Sequence, residues 1–320
     1  MLEQDQTIEW LQRKVQAQAA PVRNQAIPGI GHLPDSAIIS RWRKLIWGSG
    51  QIVSNNVVEP PPSYSPGKYT TGFLRRIAPQ PNMFLHFKEG RRDLVQAVIW
   101  DYLATYVFAS LGPIAKHSCY LEAESGVDRG VAGSRPYGDA HFHPWRSQSA
   151  ALLSSYANLD YVKANARTLV ARIQADIKLL LKTWDPRLGQ QLLNLVLEAI
   201  QLDSDLTQQR ASWFCEYPGD RRYELEFNDF AMKPANNNFE QGATRVTLMV
   251  APALMKAGNS AGGHYDTEQL MVESSVYLGS PYPPDRQSPL VAPLGNKSLR
   301  KAAKRVQGKA AGKMSFFNGG

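Results

Sequence analysis

Two short pairs of residues carry side chains with the chemistry to bind a metal. His117 and Cys119 are two apart, and so are His141 and His143. Alternate residues of an extended strand point the same way, so the two pairs could meet at a tetrahedral zinc. The spacing matches no common zinc module, and Cys119 to Ser149 is a Gly- and Ser-rich stretch with no sustained period. Four ordinary loop residues are the plainer reading.

Other chemistries have less support. There is no Gly-x-Ser-x-Gly elbow, and neither Cys119 nor Cys215 sits in a nucleophile signature. Cys215 follows Trp213-Phe214 and reads as core. The run Gly258-Asn259-Ser260-Ala261-Gly262-Gly263 lacks the Lys-Ser/Thr of a phosphate loop; a tight turn between extended segments explains it. Asp203/Asp205 and Glu224/Glu226 read as solvated faces, since nothing sets them across a cleft. The residues therefore point away from an enzyme, and they call for no cofactor.

Charge is the feature that rises above this background. The chain has 320 residues, with 36 Lys/Arg against 28 Asp/Glu. From Arg286 to Gly320 there are eight Lys/Arg and no acid, which leaves 28 of each over residues 1–285. The pI near 9.4 thus belongs to an appendage and not to a nucleic-acid-binding body. Lys297, Arg300, Lys301, Lys304 and Arg305 recur at offsets of 3, 4, 7 and 8, so a helix would gather them into one stripe. Such a stripe suits a nuclear-import receptor, an acidic protein partner or nucleic-acid phosphates; a disordered solubilising tail is the alternative. No aromatic interleaves it, which disfavours base stacking. Its apolar side is mostly alanine, and no run approaches the ~20 apolar residues of a membrane span, so no membrane insertion is expected. Two cysteines and no secretory start place the chain in the cytoplasm or nucleus.

The elements that must position these residues are mainly helical. Residues 1–33 read as a flexible arm with a short helical pattern at Ile8, Leu11 and Val15. Asp35 after Pro34 marks a helix start, with Ile38, Trp42, Leu45, Ile52 and Val53 following at near-helical spacing. Prolines at 60–62, 66, 79 and 81 make 59–82 a linker or extended surface segment. The strongest helix spans about 93–110, through Val95, Val98, Ile99, Tyr102 and Leu103. Two more run over about 160–184 and 186–202, with Asp185 as N-cap of the second, and their short connection makes them neighbours. Alternation at 223–227 and at 246–250 suggests short strands, with 271–278 as a third candidate; aromatic-rich loops packed on the helices are the alternative. Residues 286–320 read as a disordered basic tail after a single domain, 34–285.

Pro34-Asp35 opening a helix with Trp42, Gln96-Ala97-Val98-Ile99-Trp100 inside an apolar helix, and Val246 to Gly258 followed by Gly263 and Tyr265 form a set. Over about residues 34–280 this set resembles a large group of helical proteins of filamentous fungi to which no activity is assigned. The resemblance implies a mostly helical intracellular fold and no particular activity. The expected fold class is mainly α: a helical bundle-like core, a few short C-terminal strands or extended segments and flexible termini. The expected role is a non-enzymatic interaction or regulatory module, with a zinc-binding or enzymatic use of the His117, Cys119, His141 and His143 loop as the contrasting reading.

Overall fold

Helix packing around one deeply buried segment organises the chain. The computed structural model describes residues 33–56, 72–108, 139–155, 158–181, 186–235 and 244–279. Helix α1 is Asp35–Asn56, α2 is the single turn Pro81–Phe84, and α3 is Lys88–Leu103, continued by a π turn over Ala104–Phe108. Then come α4 (Asp139–Ser155), α5 (Leu159–Ile177, ending in a 3-10 turn at Lys178–Leu180) and α6 (Pro186–Thr207).

In α3 every residue from Asp93 to Trp100 is buried, polar ones included. A helix covered on all sides belongs in the middle of a domain; α1, α2 and α5 pack on α3, and a strand of the later sheet covers it as well. Its interior amide and indole are satisfied locally. Gln96 Nε2 donates to the Ile46 carbonyl at 3.1 Å and to Ser49 Oγ at 3.0 Å, and Trp100 Nε1 donates to the same hydroxyl at 3.1 Å. Gly50 lies against this amide: a Cβ there would stand 3.4 Å from it. The glycine that weakens α1 on propensity grounds thus helps α1 approach α3. Trp42 and Trp100, both wholly buried, bring their ring centroids to 5.0 Å.

Asn158 starts α5, its Oδ1 accepting from the backbone N–H of Asp160 (2.9 Å) and of Tyr161 (3.3 Å), as an N-cap should. Helices α5 and α6 pack on each other, as their short connection predicts. Asp185, read as the N-cap of α6, lies outside the described residues.

The strands are β1 (Ser212–Glu216), β2 (Leu225–Glu226), β3 (Met232–Pro234), β4 (Arg245–Ala251), β5 (Ala253–Ala257), β6 (Glu268–Val272) and β7 (Ser274–Leu278). Only Pro252 separates β4 from β5, and only Glu273 separates β6 from β7. Antiparallel β4–β7 and β5–β6 are therefore two halves of one long hairpin, with Val246 opposite Leu278 and Lys256 opposite Gln269. Proline has no N–H for the ladder, and the hairpin changes sheet there. The halves grow into sheets ordered β1-β5-β6 and β2-β4-β7-β3. The hairpin turn is the glycine-rich run: Asn259 Oδ1 accepts from the N–H of Ala261 and of Gly263, both at 3.0 Å. Gly258 has φ +82°, and a Cβ there would stand 2.5 Å from the Tyr265 ring, so only glycine serves.

The expected mainly helical bundle is corrected by these sheets. Helix takes 57% of the described residues and strand 18%, in two sheets that include a curled half-barrel, which makes the fold mixed α/β. The physical reason lies in burial. Every residue from Leu248 to Leu254 is buried, so this part of the hairpin reads as a continuous apolar run instead of an alternation. Leu248 and Val250 join the main core with the helices, while Val246 and Met249 join a smaller cluster with Met232, Val276 and Leu278, against which Tyr217, Leu225 and Phe227 pack.

Two segment readings are corrected as well. The irregular stretch expected over 119–149 gives way to α4 from Asp139 onward. The proline-rich segment 59–82 is not surface chain over its described part: Leu74, Ile77 and Ala78 are wholly buried, and Pro81 opens α2 at a position where its missing N–H costs nothing. Residues 1–32, 57–71 and 280–320 lie outside the described residues, and with them the N-terminal helical pattern and the basic tail.

Candidate functional site

Helix α4 carries the histidine pair, and this changes what the pair can do. Residues two apart on a helix point about 200° away from each other, so the strand argument that aims His141 and His143 together does not apply. His143 is buried and stacks on Tyr265, ring centroids 3.8 Å apart. The Tyr265 hydroxyl donates to the Arg210 carbonyl at 2.8 Å. One turn further, Arg146 Nη2 donates to the carbonyls of Gln209 (3.0 Å) and Ala211 (2.9 Å), and the Ser147 hydroxyl donates to the Gln208 carbonyl. A guanidinium on carbonyls just past the end of α6 also meets the negative end of that helix. The work visible at His143 is therefore to dock α4 on the α6 terminus and the hairpin turn. His117, Cys119 and the His141 side chain lie outside the described residues. Among the described residues, no group of three or more His, Cys, Asp or Glu is placed to hold a metal.

The carboxylate pairs separate in the same way. Asp205 takes an ion pair from Arg41 on α1, and Glu224 takes one from Arg245 at 3.1 Å. Asp203 differs: the residue is half-buried, and the packing around its carboxyl disfavours the charged form and holds its pKa above the usual range. A carboxyl raised in the folded state destabilises the fold once pH exceeds its unfolded pKa near 3.9. Asp203→Asn should therefore stabilise the protein at pH 7. The gain should shrink as pH falls through the ordinary carboxylate range, as urea titrations at pH 7 and pH 4 would show. An equal gain at both values would contradict it.

A shallow groove of about 250 Å³ lies between Pro79, Gln80, Met83 and Phe84 on one side and Glu224, Arg245, Thr247 and Gly279 on the other. It is smaller than the ~300–1,000 Å³ of usual small-molecule sites. Its charged groups, Glu224 and Arg245, neutralise each other. Other ionisable groups of low exposure sit away from this groove. Asp101 accepts from Arg221 at 2.5 Å, and that guanidinium lies 4.0 Å over the ring of half-buried Tyr217, whose hydroxyl is itself buried and so driven upward in pKa. Burial likewise pushes Tyr277 up to about 12.

Electrical balance over the body hides a division that whole-chain counting misses. The described helical segments through Ala211 carry fifteen basic and ten acidic residues, while 212–235 with 244–279 carry five basic and eight acidic. Segment-by-segment counting would reveal it.

Fold and site together define a mixed α/β protein with charge unevenly divided between helices and sheets, and with no converging catalytic constellation among the described residues. No family model, curated protein or solved structure matches this chain.

Proposed function

We propose that this chain is a non-enzymatic interaction module of the cytoplasm or nucleus, acting through Lys297, Arg300, Lys301, Lys304 and Arg305. The observation that carries the reading is the run of eight cations without one acid over Arg286 to Gly320. Cations so concentrated steer and hold an acidic surface, that of a nuclear-import receptor or another protein partner. The body's desolvated charges are committed to packing, Asp101 to Arg221 and Lys256 to Asp35, and its groove is shallow. No helix among the described residues is long and apolar enough to cross a membrane.

The test is the distribution of a fluorescent fusion in cells, for the native chain and for one with all five positions changed to Gln. Nuclear accumulation should fall clearly in the variant. An unchanged distribution would remove the import reading. Unchanged nuclear entry with loss of an RNA-containing focus would favour nucleic-acid association through the same residues.

A further inference from the structure

The solvent face of α5 presents a second cationic surface, on the folded body. Its inner face is Ala166, Leu169, Val170, Ile173 and Ile177. On the outer side Lys163, Arg167 and Lys178 are exposed. At 100° per residue they fall within about 60° of one another, and they span about 22 Å along the axis. None has an ion pair among the described residues. Of the two carboxylates on this helix, Asp176 accepts the Tyr102 hydroxyl at 2.5 Å, and Asp160 stands in the first turn, where the helix dipole favours it.

We propose that this face binds the phosphate backbone of double-stranded nucleic acid without reading its sequence. Charge sign selects a polyanion. What lies beside the cations selects the class: Ala164, Thr168, Ala171 and Ala175 are all exposed and small. A protein partner needs aromatic or aliphatic anchors, which the exposed face from Lys163 to Lys178 lacks, whereas small residues let a rigid phosphate rail approach. Single strands need open aromatic platforms. Tyr106, the ring that Arg172 reaches, is already engaged by Tyr102 (centroids 5.6 Å apart) and by the Arg172 guanidinium at 5.6 Å. Arg172 and the exposed Arg75 and Arg76 extend the positive field of the helical segments. The proposal stands apart from the tail reading, since it uses different residues.

The experiment uses the full chain with the five tail positions changed to Gln and a fluorescent DNA duplex about two helical turns long. Binding should be measurable at 50 mM salt and, with about three phosphates neutralised, fall about 40-fold by 200 mM. Adding K163E, R167E and K178E should weaken it by about tenfold or more with unchanged circular dichroism. K163Q, R167Q and K178Q should give a smaller loss in the same direction, which covers the case of a misfolded charge reversal. No duplex binding by the tail-neutralised chain, equal binding by the Gln triple variant, or equal competition by polyglutamate would overturn the proposal.

Discussion

Asp35→Ala is expected to lower the unfolding free energy by about 2–3 kcal/mol, while Lys256→Met leaves it unchanged or raises it. Lys256 lies on β5 with its side chain only 6% exposed, and its Nζ reaches Asp35 Oδ2 at 2.5 Å across 221 residues of sequence. Removing the carboxylate leaves an ammonium in the interior with, among the described residues, only the Trp213 ring, 5.3 Å away, to offset it. Breaking such a pair from one side costs ~3–5 kcal/mol, whereas replacing a buried charge by an apolar chain of similar volume is often neutral or stabilising. The 39% exposure of the Asp35 side chain places the cost at or below the bottom of that range, and it lets water solvate the carboxylate that Lys256→Met leaves behind. Methionine also keeps a favourable sulfur contact with the Trp213 ring. Urea unfolding of the two variants reads both signs; equal destabilisation would show that the pair stabilises by attraction and not by avoiding an unpaired charge.

Trp100→Ala should cost about 3–5 kcal/mol, the range for deleting a buried aromatic. The indole is wholly buried beside Trp42 and Phe108 and donates to Ser49 Oγ. Its loss opens a cavity where α1 packs on α3 and removes one donor from the Ser49–Gln96 network. Trp100→Phe keeps much of the apolar volume and loses the donor, so it should cost roughly 1–2 kcal/mol. Chemical denaturation orders the two, and a phenylalanine variant as unstable as the alanine one would place the effect in the hydrogen bond.

Helices are legible in the sequence where an apolar stripe recurs at helical spacing. Val95, Val98, Ile99, Tyr102 and Leu103 mark α3, and Leu169, Val170, Ile173 and Ile177 mark α5. The all-round burial of α3 is not legible, because Gln96, Asp93 and Arg91 read as a polar face until α1 and the sheet cover them. Apolar alternation marks β2 and the start of β4, while β1, β3 and β5 carry no such mark and the organisation is not legible: β4 pairs with β7 beyond a bend at Pro252, and pairing so distant along the chain leaves no local trace. Helix α4 is hidden because His143, Arg146 and Ser147 dock it, where an apolar stripe would have announced it. At the candidate site, the glycine-rich run reads as a turn and forms one. The spacing of His141 and His143 suggests strand geometry, which α4 does not have.

The most direct test of the central claim is the affinity of purified full-length chain for a purified import receptor, compared with the chain carrying Gln at 297, 300, 301, 304 and 305. The variant should lose about tenfold or more in affinity, with the same unfolding midpoint. Equal affinity, or no affinity in either chain, would contradict the claim.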